Sequence, residues 1–305
     1  MIVKNFKWFL MLPIAAVVAA LIVGFACGGF NLGLDFTGGT VINIEMGTED
    51  FSDQTVADAV RSVEGVQGEV SVTKSENVAI VRIQDIGDEA ATGDLVASIV
   101  DKVAETYSGA EQKSIDSVGG TASGELIKNA ALSIAIAGIL MLIYIWIRFD
   151  LYSGIGALAA LLINILVMVC VMCIFRVQLD STFIAACLTI LGYSINDTVV
   201  LFDRIRENMG KFDKNTDSDA LVTTSVKQTL GRTINTSATT LIMVACVFIL
   251  GVDSIRIFTF PLLIGIVVGT YSSIFIAAPI WIKLEKKFGK GKKTVSYTHL
   301  RAHET

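Results

Sequence analysis

The sequence contains little charge, little proline and almost no histidine. Only 17% of its 305 residues are charged, 3 are proline, and the two histidines, His299 and His303, stand at the far end of the chain. Without histidine in the body of the chain, histidine-based catalysis and histidine metal ligands are nearly excluded. The net charge of −5 also argues against binding to DNA or RNA, which needs a basic surface.

Apolar residues take the place of the missing charge. They make up 53% of the chain, and the mean hydropathy is +0.65, whereas a soluble domain is roughly 45–50% apolar. A helix of roughly 20 apolar residues crosses the hydrocarbon core of a bilayer. Six segments are therefore predicted to span a membrane: 8–30, 129–147, 154–175, 182–202, 233–251 and 257–282. The first run is too long for the apolar region of a signal peptide, so we expect it to remain as an anchor.

The distribution of lysine and arginine predicts the orientation of these spans. Basic residues cluster before the first span, after the second and fourth, and in the tail 283–305, which places both termini in the cytoplasm. The long segment 31–128 has 18 acidic and 6 basic residues, a net charge of −12, and is expected to face outward. The predicted organisation is residues 1–30 as amino terminus and first span, 31–128 as an outward domain, 129–282 as a five-span bundle and 283–305 as a tail.

The outward domain is predicted to be α+β. Strands are expected at 40–46, 69–73, 77–84 and 112–118, and helices at 52–63 and 92–107. The order β-α-β-β-α-β is that of the ferredoxin-like fold. Because no catalytic constellation occurs in this segment, it is interpreted as an interaction domain or a moving domain.

Small residues inside the spans are interpreted as packing residues. Cys170 and Cys173 form a CxxC pair within an apolar run, where neither a redox partner nor a second pair of metal ligands is expected. Gly265 and Gly269 form a GxxxG pair, which predicts close helix packing. No metal site is predicted.

A carboxylate inside the fourth span is the main candidate for function. Charged residues in membrane helices cost roughly 2.5–3.5 kcal/mol each and are functional candidates by default. Asp197 lies in this span, and Thr189, Tyr193 and either Asn196 or Asp197 share one helical face. This polar stripe is expected to point into a bundle or a wet cavity.

The fifth span carries a complementary polar stripe. It consists of Thr229, Arg232 or Thr233, Thr236 and Thr240. A carboxylate that is both desolvated and close to the Arg232 guanidinium can bind and release a proton as the helices move. Two structural alternatives stay open: a salt bridge between Asp197 and Arg232, or an arginine that extends to the lipid headgroups.

Three blocks of the sequence resemble the SecD/SecF family of protein-export membrane proteins. They are Gly33-Leu-Asp-Phe-Thr-Gly-Gly-Thr40, the block from Gly192 to Asn208 (GYSINDTVVLFDRIREN), and Arg232-Thr-Ile-Asn-Thr-Ser237. A single small outward domain favours the smaller of the two subunits. The resemblance implies six spans arranged as half of a resistance-nodulation-division bundle, driven by the proton motive force.

The resemblance also implies roles for particular residues. It implies a proton relay through Asp197 and Arg232, with Thr236 one turn further along and Asn196 beside the carboxylate. It implies a structural or conformational role for the motif residues Asp35, Gly38 and Gly39, although no catalytic use follows from their chemistry.

Partners and location follow from the same resemblance. It implies a SecD partner, the SecYEG translocon, preprotein substrates and the accessory proteins YajC and YidC, in the bacterial inner membrane. Lipid is the surrounding medium, and nucleic acid is not an expected partner. No cofactor other than the proton gradient and no enzymatic activity are expected.

Two alternative functions are compatible with an acidic residue inside a membrane span. A proton-coupled exporter of small molecules is the main alternative, although such exporters normally have twelve spans. An intramembrane hydrolase would need a second catalytic group at membrane depth, and the polar stripe has one clear carboxylate.

The last twelve residues, 294–305, differ in character from the lysine-rich run before them and resemble translated adapter sequence.

Overall fold

The computed structural model describes residues 5–48, 50–66, 70–75, 77–83, 89–211 and 218–288. The chain divides into two compact units. The sheet unit comprises Phe30–Ser133 and Gln178–Ile184, and the helical unit comprises Met1–Gly29, Ile134–Val177 and Ala185–Thr305. The tail after residue 288, including both histidines, lies outside the described residues.

Helices account for most of the described chain. In chain order they are α1 Phe6–Phe9, α2 Met11–Ala26, α3 Leu34–Thr37, α4 Asp53–Arg61, α5 Glu89–Thr106, α6 Gly120–Arg148, α7 Leu151–Ile174, α8 Ser181–Met209, α9 Ser218–Leu250, α10 Asp253–Ser272 and α11 Ala278–Phe288. A single turn of π-helix, Ser273–Ala277, joins α10 to α11.

Within the described residues, six helical stretches are long and apolar enough to cross a membrane. They are Phe6–Ala26, Ala122–Arg148, Leu151–Ile174, Ser181–Met209, Asp219–Leu250 and Ile255–Phe288. The predicted number and order of spans are confirmed. The fourth and fifth helices extend well beyond their predicted apolar segments, because backbone hydrogen bonding continues through polar sequence where the apolar run stops.

The helical unit has a buried centre and an exposed periphery. Half of the most apolar stretch of α7 is buried within the chain (50%), whereas only 6% of that of α6 is buried. The helices α7 and α8 and the α10–α11 pair therefore form the core. Their contacts are made by buried side chains such as Ala157, Phe202 and Trp281. The apolar surfaces of α2, α6 and α9 are left for lipid or for another protein.

The last span is one continuous helical path with a local irregularity. Pro261 lies inside α10, and Pro279 lies in the first turn of α11. Proline has no N–H and cannot continue a regular i→i−4 ladder, and the π-turn ends two residues before Pro279. The irregular turn begins three residues after Thr270, a residue of the candidate site described below.

The sheet unit contains one four-stranded antiparallel sheet. Its strands are β1 Gly39–Glu45, β2 Ser71–Ser75, β3 Val78–Ile83 and β4 Glu111–Val118, in the spatial order β2-β3-β1-β4. The register pairs Ile42 with Val81 and with Ile115. The alternation of buried and half-buried residues along β3 gives the sheet one apolar face, against which α4 and α5 pack through Val60 and Ile99.

The predicted order of elements in this unit is observed, with bounds shifted by a few residues. Every predicted strand and helix of the segment has a counterpart, and β1 occupies a central position between β3 and β4. The assignment of the unit to the ferredoxin-like fold stays a prediction.

Candidate functional site

Asp197 is buried in the middle of the helical unit. Its exposed fraction is 4%, and among the described residues it is the one charged side chain in the buried class. It lies on α8, in a region where the neighbouring helices are apolar. A carboxylate in such surroundings needs either a proton or a hydrogen-bond donor, since burial of a bare charge is very costly.

A hydroxyl group from α9 contacts this carboxylate, and a hydroxyl group from α10 contacts the first hydroxyl. The Oγ of Ser237 on α9 donates to Oδ2 of Asp197 at 3.4 Å. The same Oγ lies 2.6 Å from Oγ1 of Thr270 on α10, and Oγ1 of Thr270 donates to the carbonyl of Ile266 at 2.8 Å. A row of three polar side chains therefore joins α8, α9 and α10.

These three contacts would need three protons, but the hydroxyl groups of Ser237 and Thr270 supply only two. Each hydroxyl has one proton to donate. If Ser237 donates to Asp197, then Thr270 must donate to Ser237 and leaves the Ile266 carbonyl. If Thr270 donates to that carbonyl, Ser237 donates to Thr270 and accepts from a protonated Asp197. In each arrangement both hydroxyl groups donate one hydrogen bond. The protonation state of Asp197 determines which arrangement forms.

Close packing of α10 on α8 brings this row together. A Cβ on Gly269 would lie 2.9 Å from Nδ2 of Asn164 and 3.0 Å from Oγ of Ser194. A Cβ on Gly265 would lie 2.6 Å from the Ile190 side chain. The glycine pair Gly265/Gly269 thus permits the close approach that the GxxxG spacing predicts.

A second buried polar group lies beside the first. Nδ2 of Asn164 on α7 donates to the Gly265 carbonyl at 3.4 Å. In the described part of the chain, Oδ1 of Asn164 and the hydroxyl oxygen of Tyr193 are buried without a hydrogen-bond partner. Buried acceptors of this kind are commonly satisfied by an ordered water, so the centre of the unit is polar enough to hold one.

Arg232 does not form an ion pair with Asp197. Its side chain is exposed, and no described carboxylate lies within 4.0 Å of its guanidinium. Instead, Arg232 lines a polar cleft of about 570 Å³ between the ends of α6, α8 and α9. The polar cleft is lined by Arg148, Val199, Val200, Asp203, Arg204, Glu207, Gln228, Thr229 and Arg232.

The other charged residues of the polar cleft are mutually paired. Arg148 lies 3.6 Å from Asp203, and Arg204 contacts Glu207 and donates through Nε to Oε1 of Gln228 at 2.7 Å. These contacts neutralise both carboxylates. Arg232 is therefore a cation whose field in the cleft is not cancelled by a partner within the described residues.

The polar stripes predicted from helical spacing are divided between two faces. Asn196 and Thr189 are exposed, whereas Asp197 points inward. Oγ1 of Thr236 bonds to the backbone carbonyls of Arg232 and Thr233, each at 3.0 Å. The structure thus brings neither Asn196 nor Thr236 into hydrogen-bond contact with the carboxylate, and their proposed roles remain predictions.

Ser237 and Thr270 are the residues that sequence reasoning missed. Ser237 continues a buried stripe through Thr229 and Thr233 at spacings of four residues. The predicted stripe contains Thr229 and leaves Arg232 or Thr233 open, but it continues to Thr236 and Thr240 and omits Ser237. The spacing signal for Ser237 was present in the sequence. No spacing rule relates Thr270 to Asp197, because they lie on different helices.

The motif residues near the start of the sheet unit have clear local geometry. Gly38 and Gly39 adopt φ values of 67° and 118°, which side chains with a Cβ rarely tolerate. They turn the chain from α3 into β1. Oδ2 of Asp35 accepts a hydrogen bond from the Ser181 N–H at 2.8 Å, at the first turn of α8.

Comparison with known proteins agrees with the six-span architecture and the motifs. The family described as protein export membrane protein SecD/SecF, C-terminal, matches residues 98–287, and the SecD/SecF GG motif matches residues 28–49. The protein translocase subunit SecF of Cereibacter sphaeroides is 39% identical over 289 residues, which cover 90% of this chain and 87% of that protein.

Longer relatives contain the same region. The protein translocase subunit SecDF of Bacillus subtilis is 36% identical over 280 residues, which cover 90% of this chain and 37% of that protein. The crystal structure of SecDF, a translocon-associated membrane protein from Thermus thermophilus, superposes with a TM-score of 0.76 at 28% identity, and covers 93% of this chain and 38% of that one. The chain belongs to the SecD/SecF family of protein-export membrane proteins.

Proposed function

We propose that this chain is a SecF-type accessory subunit of the Sec protein-export machinery, which uses the proton motive force to promote preprotein translocation. Asp197 is the proton-binding group. The observation that carries this proposal is the burial of Asp197 against the Ser237 hydroxyl in a six-span helical unit. The relatives named translocase subunits SecF and SecDF support the export role.

The hydroxyl row supplies a physical link between proton binding and helix position. With Asp197 ionised, Ser237 donates to the carboxylate and Thr270 donates to Ser237. With Asp197 protonated, both bonds reverse and Thr270 engages the backbone carbonyl of Ile266 on α10. One proton thereby changes the bonding of α10 to α9, next to the π-turn, where a helix is more easily deformed.

The polar cleft is the proposed route between Asp197 and one side of the membrane. Thr229 and Arg232 line it and lie about two turns and one turn before Ser237 on α9. The distribution of lysine and arginine supports a cytoplasmic location for the cleft, with both termini cytoplasmic and residues 31–128 outside. An unpaired guanidinium in the cleft repels cations and lowers the probability that a proton returns through it.

The exposed polar residues of α8 and α9 support a SecD partner. Thr189 and Asn196 on α8, and Asn235 and Thr239 on α9, are exposed at membrane depth, where polar groups favour a protein neighbour over lipid. In the SecDF of Bacillus subtilis, the region matching this chain occupies 37% of a longer protein named for both subunits.

The proposed partners of this subunit extend beyond SecD. SecYEG, the emerging preprotein and the accessory proteins YajC and YidC are proposed partners in the bacterial inner membrane. No cofactor beyond the proton gradient is required, and the subunit works without an enzymatic step. Asn196 and Thr236 are proposed to line the relay on the SecD side, since both lie close in sequence to the residues that bind the proton and line the cleft.

The substitution Asp197→Asn tests the proposal. Asparagine has nearly the same volume but does not cycle a proton. We expect inverted membrane vesicles containing the variant and its SecD partner to lose the proton flux that accompanies preprotein export, and export itself to lose its dependence on the proton gradient. Asp101→Asn, an exposed carboxylate on α5, is the control and leaves both unchanged. Normal flux and export in Asp197→Asn would refute the assignment.

A further inference from the structure

The connection between α7 and α8 is joined by backbone hydrogen bonds to the segment that precedes β1. The Leu179 N–H donates to the Asn31 carbonyl at 2.8 Å, and the Gly33 N–H donates to the Leu179 carbonyl at 2.6 Å. Leu32 and Leu179 form a parallel bridge. This connection therefore packs as part of the sheet unit.

Gly33 is needed for the close approach of these two segments. A Cβ at this position would lie 2.9 Å from both the Leu179 carbonyl oxygen and Nε2 of Gln178. Oε1 of Gln178 in turn accepts a hydrogen bond from Nη2 of Arg82 on β3 at 2.8 Å. The connection is thus held on one side by the segment before β1 and on the other by a strand of the sheet.

Asp35 provides the first turn of α8 with a cap from outside the helix. The first N–H groups of a helix have no partner within it, and a carboxylate is favoured there by the helix dipole. Asp180 satisfies the N–H groups of Thr182 and Phe183 at 3.0 and 3.2 Å. The Ser181 N–H is satisfied by Asp35, at 2.8 Å.

Asp35 is also directly connected to the central strand of the sheet. It lies on α3, and Gly38 and Gly39 turn the chain into β1 immediately afterwards. Oγ1 of Thr37 bonds back to the Gly33 carbonyl at 3.1 Å, which ties the two ends of the short helix together. The short helix α3 therefore links β1 to the beginning of α8.

We propose that Gly33 and Asp35 form a permanent clamp that transmits displacement of α8 to the sheet unit. The proposal rests on the function proposed above, because α8 is the continuous helix that carries Asp197, 16 residues after Ser181 and about 24 Å along the helix. Proton binding at Asp197 is then mechanically connected to the outward domain through the start of the same helix. Asp35 is a positioning residue and does not itself bind the transported proton.

A comparison of Asp35→Ala with Asp180→Ala distinguishes a residue that connects α8 to the sheet unit from one that only caps α8. Both substitutions remove hydrogen bonds from the first turn of α8, and the loss of a cap changes a helix-end equilibrium by about fivefold. We expect amide hydrogen exchange in this turn to quicken about fivefold in both variants. Only Asp35→Ala also removes the side-chain hydrogen bond that joins the first turn of α8 to the segment before β1.

The functional readouts are proton flux and preprotein export in vesicles containing the full chain and its SecD partner. We expect Asp35→Ala to retain proton flux within about twofold while export falls about fivefold, because this variant loses a bond between α8 and the segment before β1 as well as a cap. Asp180→Ala keeps both. Asp35→Asn retains an acceptor oxygen, and we expect it to restore part of the lost export. Equal export defects in Asp35→Ala and Asp180→Ala, or normal export in Asp35→Ala, would overturn the proposal.

A cross-link tests whether the clamp stays closed. A double variant with Leu32→Cys and Leu179→Cys places two thiols at paired positions of the parallel bridge, so that oxidation can join the two segments by a disulfide. We expect export to be the same under oxidising and reducing conditions, with each single-cysteine variant as control. An export block that appears only on oxidation would show that the segments must separate, and would overturn the permanent clamp.

These outcomes are distinguishable from failure of the proton-binding role. Asp197→Asn is measured in the same vesicles. If it retains flux, the proposed function fails whatever Asp35 does. If Asp197→Asn loses flux while Asp35→Ala exports normally, the clamp alone fails.

Discussion

The Ser237 hydroxyl lies 3.4 Å from Oδ2 of Asp197 and is the hydrogen bond that joins α9 to the buried carboxylate of α8. The distance is long for an O–H···O hydrogen bond, so the carboxylate is held loosely and is free to exchange its role from acceptor to donor. Because Ser237 also contacts Thr270, a change at the carboxylate extends to a third helix.

Substitution of Ser237 tests this contact. Ser237→Ala removes the hydroxyl donor to a charged acceptor, an interaction that at this long distance is worth about 1.5 kcal/mol, the low end of the usual range. We expect proton flux coupled to export to fall about tenfold or more, the rate ratio that corresponds to this energy. Ser237→Thr retains the hydroxyl and is the matched control with near-normal flux. Normal flux in Ser237→Ala would show that the hydroxyl row is not part of the relay.

Arg232 is expected to act through its charge rather than through a bidentate ion pair with Asp197. In the structure its guanidinium lies in the polar cleft without contacting Asp197. Lysine keeps the charge and loses the bidentate geometry, so Arg232→Lys should support most of the coupled flux. Arg232→Gln should lose about tenfold, because a unit charge beyond contact distance contributes about 1–2 kcal/mol at intermediate dielectric. Equally severe loss in both variants would indicate a direct ion pair in the working state.

Gly269 is expected to be sensitive to a single added methyl group. Gly269→Ala places a Cβ within 3.0 Å of two polar side chains, and overpacking of this kind costs about 1–3 kcal/mol. The thermal unfolding midpoint of the purified full chain in detergent should therefore fall by several degrees. Gly124→Ala, where a Cβ meets no atom within 4 Å, is the control for the gain in helix propensity and should not lower the midpoint. An unchanged midpoint in Gly269→Ala would mean that α10 moves away from α8 without cost.

The sheet unit has a core of its own, and its stability is expected to depend on it. Ile44 on β1 is fully buried, and Ile44→Ala should cost about 2–5 kcal/mol. Hydrogen exchange of the full chain should quicken at the amides of β1 and β3 while the amides of α7 stay protected. Asn43→Ala, on the opposite face of the strand, is the comparison. Equal effects on β1 and α7 would contradict an independent core.

Much of the architecture was predictable from the sequence because its signals are local. Six apolar runs predicted six spans, and the period-2 and period-3.6 patterns predicted the order of strands and helices in the sheet unit. The bounds were less accurate where apolar character and helical structure end at different residues. The helix α9 begins at Ser218, well before the apolar segment, because polar residues continue a helix whose far end is anchored.

The candidate site was predictable only in part. Asp197 was identified because a carboxylate in an apolar helix is recognisable without knowledge of its neighbours. Its immediate partners were not, since the helical spacing of α9 is compatible with a stripe through either Arg232 or Thr233. Burial on the side that faces α8 and α10 selects the stripe through Thr233 and Ser237.

The sequence by itself determined that the chain crosses a membrane six times, that residues 31–128 form an acidic α+β unit, and that one carboxylate lies at membrane depth. These properties depend on residue chemistry and on short periodic spacing along a single helix or strand. Tertiary structure decided that Ser237 contacts that carboxylate and that Thr270 contacts Ser237. It also decided that Arg232 lies in a cleft apart from the carboxylate and that Asp35 caps α8. Those relationships join residues 33 to 146 positions apart, and only the packing of the helices and of the sheet unit brings them within hydrogen-bond distance.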